Sequence, residues 1–174
     1  MIFEKWDVID ENGNLSGKTV LRGNVHLKPG EYHLVVHIWV ISPDGKILIQ
    51  RRSDTKKLMP GEWAATGGAA ISGEDSFTAA QRELFEELGI VSDQSTLKKA
   101  LRLKRRNSLL DIWFIKSNVE TSNLKLQESE VAEAKWVTVD ELREMVKNEK
   151  FHNYGNEYFA RVFDMISQVK GATV

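Results

Sequence analysis

The chain has 174 residues, 41% hydrophobic and 28% charged, with a formal net charge of −1. That mix suits an ordinary soluble globule, and the near-neutral balance supplies no bulk field for nucleic acid or an anionic membrane, so any phosphate binding must come from a local patch. The absence of cysteine excludes a disulfide framework, a thiolate zinc site and a cysteine nucleophile.

No apolar run approaches the ~20 residues that cross a bilayer. The opening "MIFEKWDVIDENG" lacks the basic and apolar regions of a secretory leader, so a cytoplasmic location is expected. "WDVIDENGNLSGKTVLRG" reads as a hairpin, with Asn12-Gly13 as its turn, and residues 1–25 form an N-terminal extension. "HLVVHIWVI" (His33 to Ile41) is rich in β-branched and aromatic residues and ends at the Pro43-Asp44-Gly45 turn. "KILIQRR" returns as a second strand whose apolar part is Ile47 to Gln50. "SDTKKLMPGEW" is a loop, and "AATGG" leads into a helical pattern from about Ser76 to Leu88. There Phe77, Ala80, Leu84 and Leu88 recur at three- and four-residue steps. Asp75 or Ser76 can cap this helix and Gly89 can end it. Strands resume around Leu97–Leu103, Leu109–Ile115 and Ala134–Val137. "TVDELREMVKN", opened by Thr138 or Asp140, and "NEYFARVFDMISQVK" read as helices. The pattern predicts an α/β fold with a mixed sheet sandwiched between helices. No linker divides it, so residues 1–174 are expected to be one domain.

On the helix, Glu83, Glu86 and Glu87 lie at i, i+3 and i+4 and project within a narrow arc. Anions this close repel unless a cation sits between them. Mg²⁺ or Mn²⁺ suits such oxygen ligands, and a bound diphosphate could complete the shell. The plainer alternative is a solvated acidic face.

Gly68, five residues, Glu74, seven residues, then Arg82-Glu83-Leu84-Phe85-Glu86-Glu87-Leu88-Gly89-Ile90 resembles the Nudix box, here spanning residues 67–90, at every defined position. The resemblance implies an α/β/α sandwich and cleavage of a nucleoside diphosphate linked to another group, usually with magnesium. It implies that Glu86 and Glu87 are principal metal ligands, with Glu83 a third ligand or the base. Gly67 would offer its carbonyl, Arg82 would fix the carboxylate rotamers, and Glu74 would support the loop. Gly67 and Gly68 also let the backbone approach an ion without a Cβ in the way. Glu130, with Glu128 and Glu133 beside it, is the other candidate base. Dimers are common in the resembling family, so a homodimer is a possible assembly.

A finer resemblance, over roughly residues 4 to 90, is to the Nudix subgroup containing type I isopentenyl-diphosphate isomerase. His26 and His33 match the spacing of two metal-binding histidines of that enzyme. Arg22, Arg52 and Lys56 fall where it places basic residues against the substrate diphosphate, with Arg51 and Lys57 as exchangeable candidates. The isomerase uses a cysteine in a Cys-Gly-His stretch and a Glu-x-Glu pair. This chain has Gly67-Gly68-Ala69 and Leu109-Leu110-Asp111 there. A hydrolase of a small-molecule diphosphate is therefore expected, the alternatives being a sensor that binds without turnover or an isomerase-like enzyme. His33 and His37 would line one side of a strand, and His26 and His33 are read as structural or pocket-lining. "LKKALRLKRRN" packs six basic residues into Lys98–Arg106, a possible rim for a longer substrate. It lacks the interleaved aromatics of a nucleic-acid surface, and no nucleic-acid partner is expected. Trp63, beside the box, is the tryptophan assigned to substrate contact.

Overall fold

The structure, a computed structural model, describes residues 4–23 and 25–171, so both ends of the chain and one residue of the 1–25 extension lie outside it. The strands are β1 (Lys5–Ile9), β2 (Leu15–Leu21), β3 (His33–Ile41), β4 (Ile47–Arg52), β5 (Trp63–Ala64), β6 (Thr66–Ala69), β7 (Leu97–Lys104), β8 (Ser108–Lys116) and β9 (Val131–Val137). The helices are α1 (Ser76–Leu88), α2 (Val139–Lys147) and α3 (Asn156–Gly171). The strand over His33–Ile41 and the helix over Ser76–Leu88 coincide with the elements read from the sequence. β9 begins at Val131, ahead of the expected Ala134, because Glu133 and Val131 pair with Arg51 and Arg52 at the continued end of β4. A partner strand, not an apolar pattern, sets that end.

β1 and β2 form a two-stranded sheet closed by a turn at Gly13, which has φ of 89°, and Ile9 at the end of β1 bridges to Tyr32. The other seven strands form one mixed sheet in which β3 runs parallel to β8 and antiparallel to β4 and β6. β3 and β4 pair only at Val40–Leu48 and Ile41–Ile47 and then diverge. The segment from Trp63 to Ala69 fills the resulting wedge, Ala64 pairing with Gln50 and Gly67 with His37. This wedge carries the glycines of the box into the middle of the sheet.

Alternation along the strands divides the core. Val36, Ile38, Val40 and Leu48 meet Ala80, Leu84 and Leu88 of α1. Trp39, Ile41, Ile47 and Ile49 meet Leu142 of α2 and Val162 and Ile166 of α3. The result is the α/β/α sandwich with an N-terminal hairpin that the sequence implies. Asp75 caps α1 by accepting from Thr78 N, and Gly89 closes it in the left-handed region with φ of 70°. Thr138 and Glu141 form a reciprocal capping box on α2. Among the described residues, no helix is long and apolar enough to cross a membrane.

Leu84 is fully buried on the face of α1 that meets the sheet. Leu84→Ala should therefore lower stability by about 2–5 kcal/mol, read as a drop in urea midpoint with unchanged slope.

Candidate active site

The wedge and α1 meet at two glycines. A Cβ on Gly67 would run into the Val36 carbonyl oxygen. A Cβ on Gly68 would overlap the Glu83 carboxylate, whose Cδ lies 2.7 Å from that position. Both positions therefore need glycine, and the space at Gly68 is taken by a carboxylate. Glu87 points inward from α1 and is 3% exposed. Its Oε2 accepts from Gly67 N at 3.0 Å and from Gln50 Nε2 at 2.8 Å. Burial raises the Glu87 proton affinity well above the carboxylate range, and the nearby Glu83 charge adds to this. Glu83 is raised in the same way, first by burial and then by Glu86 and Glu4, against the lowering effect of Arg82.

Arg82 organises the remaining acids. Its Nε and Nη2 donate to the two oxygens of Glu74 at 2.7 and 3.0 Å. Nη1 donates to Glu83 at 2.9 Å and Glu86 at 3.0 Å, and Nη2 reaches the Ala69 carbonyl at 3.1 Å. These bonds to acids raise the proton affinity of Arg82 still further, so it stays charged. Among the described residues no three histidine or acidic side chains already converge on one point. Two carboxylates whose proton affinity burial holds up, beside backbone that only glycine can form, still make a donor set suited to a hard divalent cation. The three glutamates differ in depth along that arc, Glu87 being buried, Glu83 half-buried and Glu86 exposed.

The hairpin is part of this neighbourhood. Asp7 accepts from Ser72 Oγ and Gly73 N, both at 2.7 Å, and the Lys5 carbonyl accepts from Ser72 N at 2.8 Å. Trp6 stacks on His33 with ring centroids 4.4 Å apart. Glu4 accepts from Trp6 Nε1 at 2.8 Å, and the charge of Arg82 acts on its carboxylate. Arg22 is held by Glu4 at 2.6 Å. Arg52 donates from Nε to the Leu58 carbonyl at 3.1 Å, and its charge acts on Glu87. Lys56 and Glu130 are brought together at 2.6 Å.

Other side chains singled out from the sequence lie apart from the box. The Trp63 ring carries the Lys135 ammonium 4.1 Å from its centroid and packs on the α2–α3 side of the sheet. That follows from its register opposite Arg51, whose side of β4 faces away from α1. His26 is exposed while His33 is buried against Trp6, so the two do not act as a pair. Three of the six basic residues in the run are neutralised. Lys99 and Arg102 both bond to the fully buried Asp111, at 2.6 Å each, and Lys104 bonds to Glu11 at 2.8 Å.

Some neighbours of the site had a weak signal or none in the sequence. Gln50 is a buried amide ending the apolar run "ILIQ", and a buried polar residue in such a strand is a usable flag. Glu4 and Tyr154 carry no local pattern, whereas Arg105 lies within the basic run Lys98–Arg106. Tyr154 Oη accepts from Ala65 N at 3.3 Å, two residues before Gly67. On the same side, Trp39 Nε1 donates to Tyr158 Oη at 3.1 Å. The Tyr158 hydroxyl also hydrogen-bonds His37 Nδ1, 2.8 Å away.

With this geometry in place, the chain can be compared with known proteins. The NUDIX domain profile matches residues 31–161. An uncharacterised Nudix hydrolase of Listeria monocytogenes is 41% identical over 152 residues, which is 87% of this chain and 89% of that protein. An isopentenyl-diphosphate Delta-isomerase of Streptomyces coelicolor is 38% identical over 85 residues, covering 48% of this chain and 43% of the isomerase. The crystal structure of DR0079 from Deinococcus radiodurans superposes with a TM-score of 0.75 at 20% identity, over 95% of this chain and 98% of that one, a likeness of fold. The chain belongs to the Nudix family, as a hydrolase of pyrophosphate bonds.

His37 gives a test of the buried polar chain. Burial, then the charges of Arg105 and His152, push its pKa down to about 3. The unfolded chain takes up this proton as pH falls through the ordinary histidine range, and the folded chain does not. The associated stability is present at neutral pH and is lost as pH falls from about 6 towards 4, by up to about 1.4 kcal/mol per pH unit. Urea unfolding at stepped pH should show a shallower acid loss for His37→Gln than for the wild type. Parallel curves would mean that the imidazole is protonated within the fold.

Proposed function

We propose that the protein carries out Mg²⁺- or Mn²⁺-dependent hydrolysis of a phosphoanhydride in a nucleoside di- or triphosphate or a related diphosphate metabolite. The observation that carries this reading is the buried Glu83–Glu87 pair packed against Gly67 and Gly68, with Arg82 forked across Glu74, Glu83 and Glu86. In this proposal Glu86, Glu87 and the Gly67 carbonyl hold the cation, with Glu83 beside them. A divalent cation would supply the charge that polarises the attacking water and offsets the departing phosphate. Arg82 fixes the carboxylate rotamers. Glu83 takes the proton from the attacking water, because Glu130 is engaged by Lys56 at 2.6 Å. Arg52 binds the substrate diphosphate, and Lys56 and Arg22 join it once their own carboxylate partners yield. Guanidinium forks suit phosphate oxygens. The substrate is a small molecule in the cytoplasm.

Isomerisation has no support in the side chains. The chain has no cysteine, and Asp111 is held by Lys99 and Arg102.

The test is phosphate release with Mg²⁺ across nucleoside di- and triphosphates, nucleotide sugars, dinucleotide cofactors and isopentenyl diphosphate. Glu86→Gln should lower kcat at least about a hundredfold while leaving the urea midpoint near that of the wild type. Wild-type rates in the metal-saturated variant would refute the assignment. Arg52→Ala should raise KM about tenfold with little change in kcat, the mark of binding shared by ground and transition states. A fall in kcat alone would place Arg52 on the transition state instead.

A further inference from the structure

We infer that Gln50 is a positioning residue for the divalent cation: its amide N–H holds one oxygen of Glu87 so that the other is presented to the ion, and its amide oxygen is kept to accept from a water that the ion carries. This rests on the proposed metal-dependent hydrolysis, in which Glu87 is a ligand, and adds to that site a residue from outside the box.

The first observation is where the amide lies. β4 gives Ile47, Leu48 and Ile49 to the core, and Gln50 follows them at 1% exposure. By this point β4 has diverged from β3, and strand alternation turns Gln50 to the side of Leu48, which α1 covers. A primary amide carries two N–H groups and an accepting oxygen, and burying it is costly unless they find partners. Packing alone would favour an apolar side chain there.

The second observation is how the amide is used. Nε2 donates to Glu87 Oε2 at 2.8 Å and lies 3.5 Å from the Ala65 carbonyl oxygen. The same Oε2 accepts from Gly67 N at 3.0 Å. Two donors from different strands thus converge on one carboxylate oxygen, and Glu87 Oε1 is left without a protein donor among the described residues. The Gln50 oxygen is the converse case. It is fully buried and has no hydrogen-bond partner among the described residues. Turning the amide over does not help, because its oxygen would then face the carboxylate oxygen that Nε2 now serves.

The chemistry of the missing donor follows from this arrangement. A carboxylate that ligates a metal is ionised, which keeps Nε2 facing Glu87 and leaves the amide oxygen as a spare acceptor beside the ligand. Mg²⁺ is held by few protein groups and keeps several of its waters. Such a water brings O–H donors into a place where the protein itself offers none. Gln50 would then hold the ligand and its hydration together, the work done by outer partners at metal sites generally.

The test is titration of the full chain with Mn²⁺ alone, without substrate, followed by electron paramagnetic resonance of the free ion. Gln50→Met keeps the approximate volume and removes both donor and acceptor, and it should weaken Mn²⁺ binding about tenfold or more. Gln50→Leu, of another shape but equally apolar, should do the same, which separates the lost amide from a packing defect peculiar to one variant. Ile49→Val, one residue earlier and packed on the opposite side of the sheet, should lower the urea midpoint but leave Mn²⁺ affinity within about twofold of the wild type. Wild-type affinity in either folded Gln50 variant, or an equal loss in Ile49→Val, would overturn the inference. Glu86→Gln in the same titration tells the two readings apart. If it loses Mn²⁺ while Gln50→Met does not, the role of Gln50 fails and the hydrolase reading stands. If Glu86→Gln binds as the wild type does, or the wild type binds no Mn²⁺, the cation reading fails and takes the role of Gln50 with it.

Discussion

One guanidinium holds the site in register. Arg82 sits on α1 among carboxylates that repel one another, and it donates at once to Glu74, Glu83, Glu86 and the Ala69 carbonyl. Lysine could not do this, since a point charge with three rotatable donors has no fork to span acceptors on a helix, a loop and a strand. Through Ala69 the same side chain ties α1 to the strand that carries Gly67 and Gly68. The wedge between β3 and β4 depends on that tie, and so does the approach of Glu87 to Gly67 and Gln50. One positive charge does not balance all these acids, however, and burial answers the surplus by raising the proton affinity of Glu83 and Glu87.

The elements legible in the sequence were those whose ends are fixed locally. Ser76–Leu88 has its periodicity, its Asp75 cap and its Gly89 stop all within the chain segment itself. His33–Ile41 is bounded by a turn at one end. The box was legible because its spacing is a property of one helix. What the sequence hid was pairing through space. A window over Lys98–Arg106 sees only like charges, because the neutralising Asp111 stands on the adjacent strand and Glu11 lies in the N-terminal hairpin. Arg22 and Lys56 were visible as basic residues, but Glu4 and Glu130, which hold them, lie far off in sequence. Trp63 read as a neighbour of the box because it is close along the chain, yet strand alternation turned it to the other side of the sheet.

The segment Ala65–Gly67 emerges as the divide of the molecule's chemistry. On one side lie the carboxylates of Glu83 and Glu87, and on the other the Tyr154 ring with the Arg105 guanidinium 5.8 Å from its centroid. Backbone N–H groups from this one segment serve both sides, Gly67 giving to Glu87 and Ala65 to Tyr154. A shift of that segment would be felt by both at once.

The contacts of Asp7 with Ser72 and Gly73 have a consequence in time. They join residues 65 and 66 positions apart. During synthesis the hairpin leaves the ribosome well before the loop it clasps, and closing so long a span costs entropy that only the finished sheet can offset. The clasp is therefore a late event in folding. Slow amide exchange at Gly73 would thus report that the N-terminal hairpin is seated, a local gauge for the closure of the whole chain.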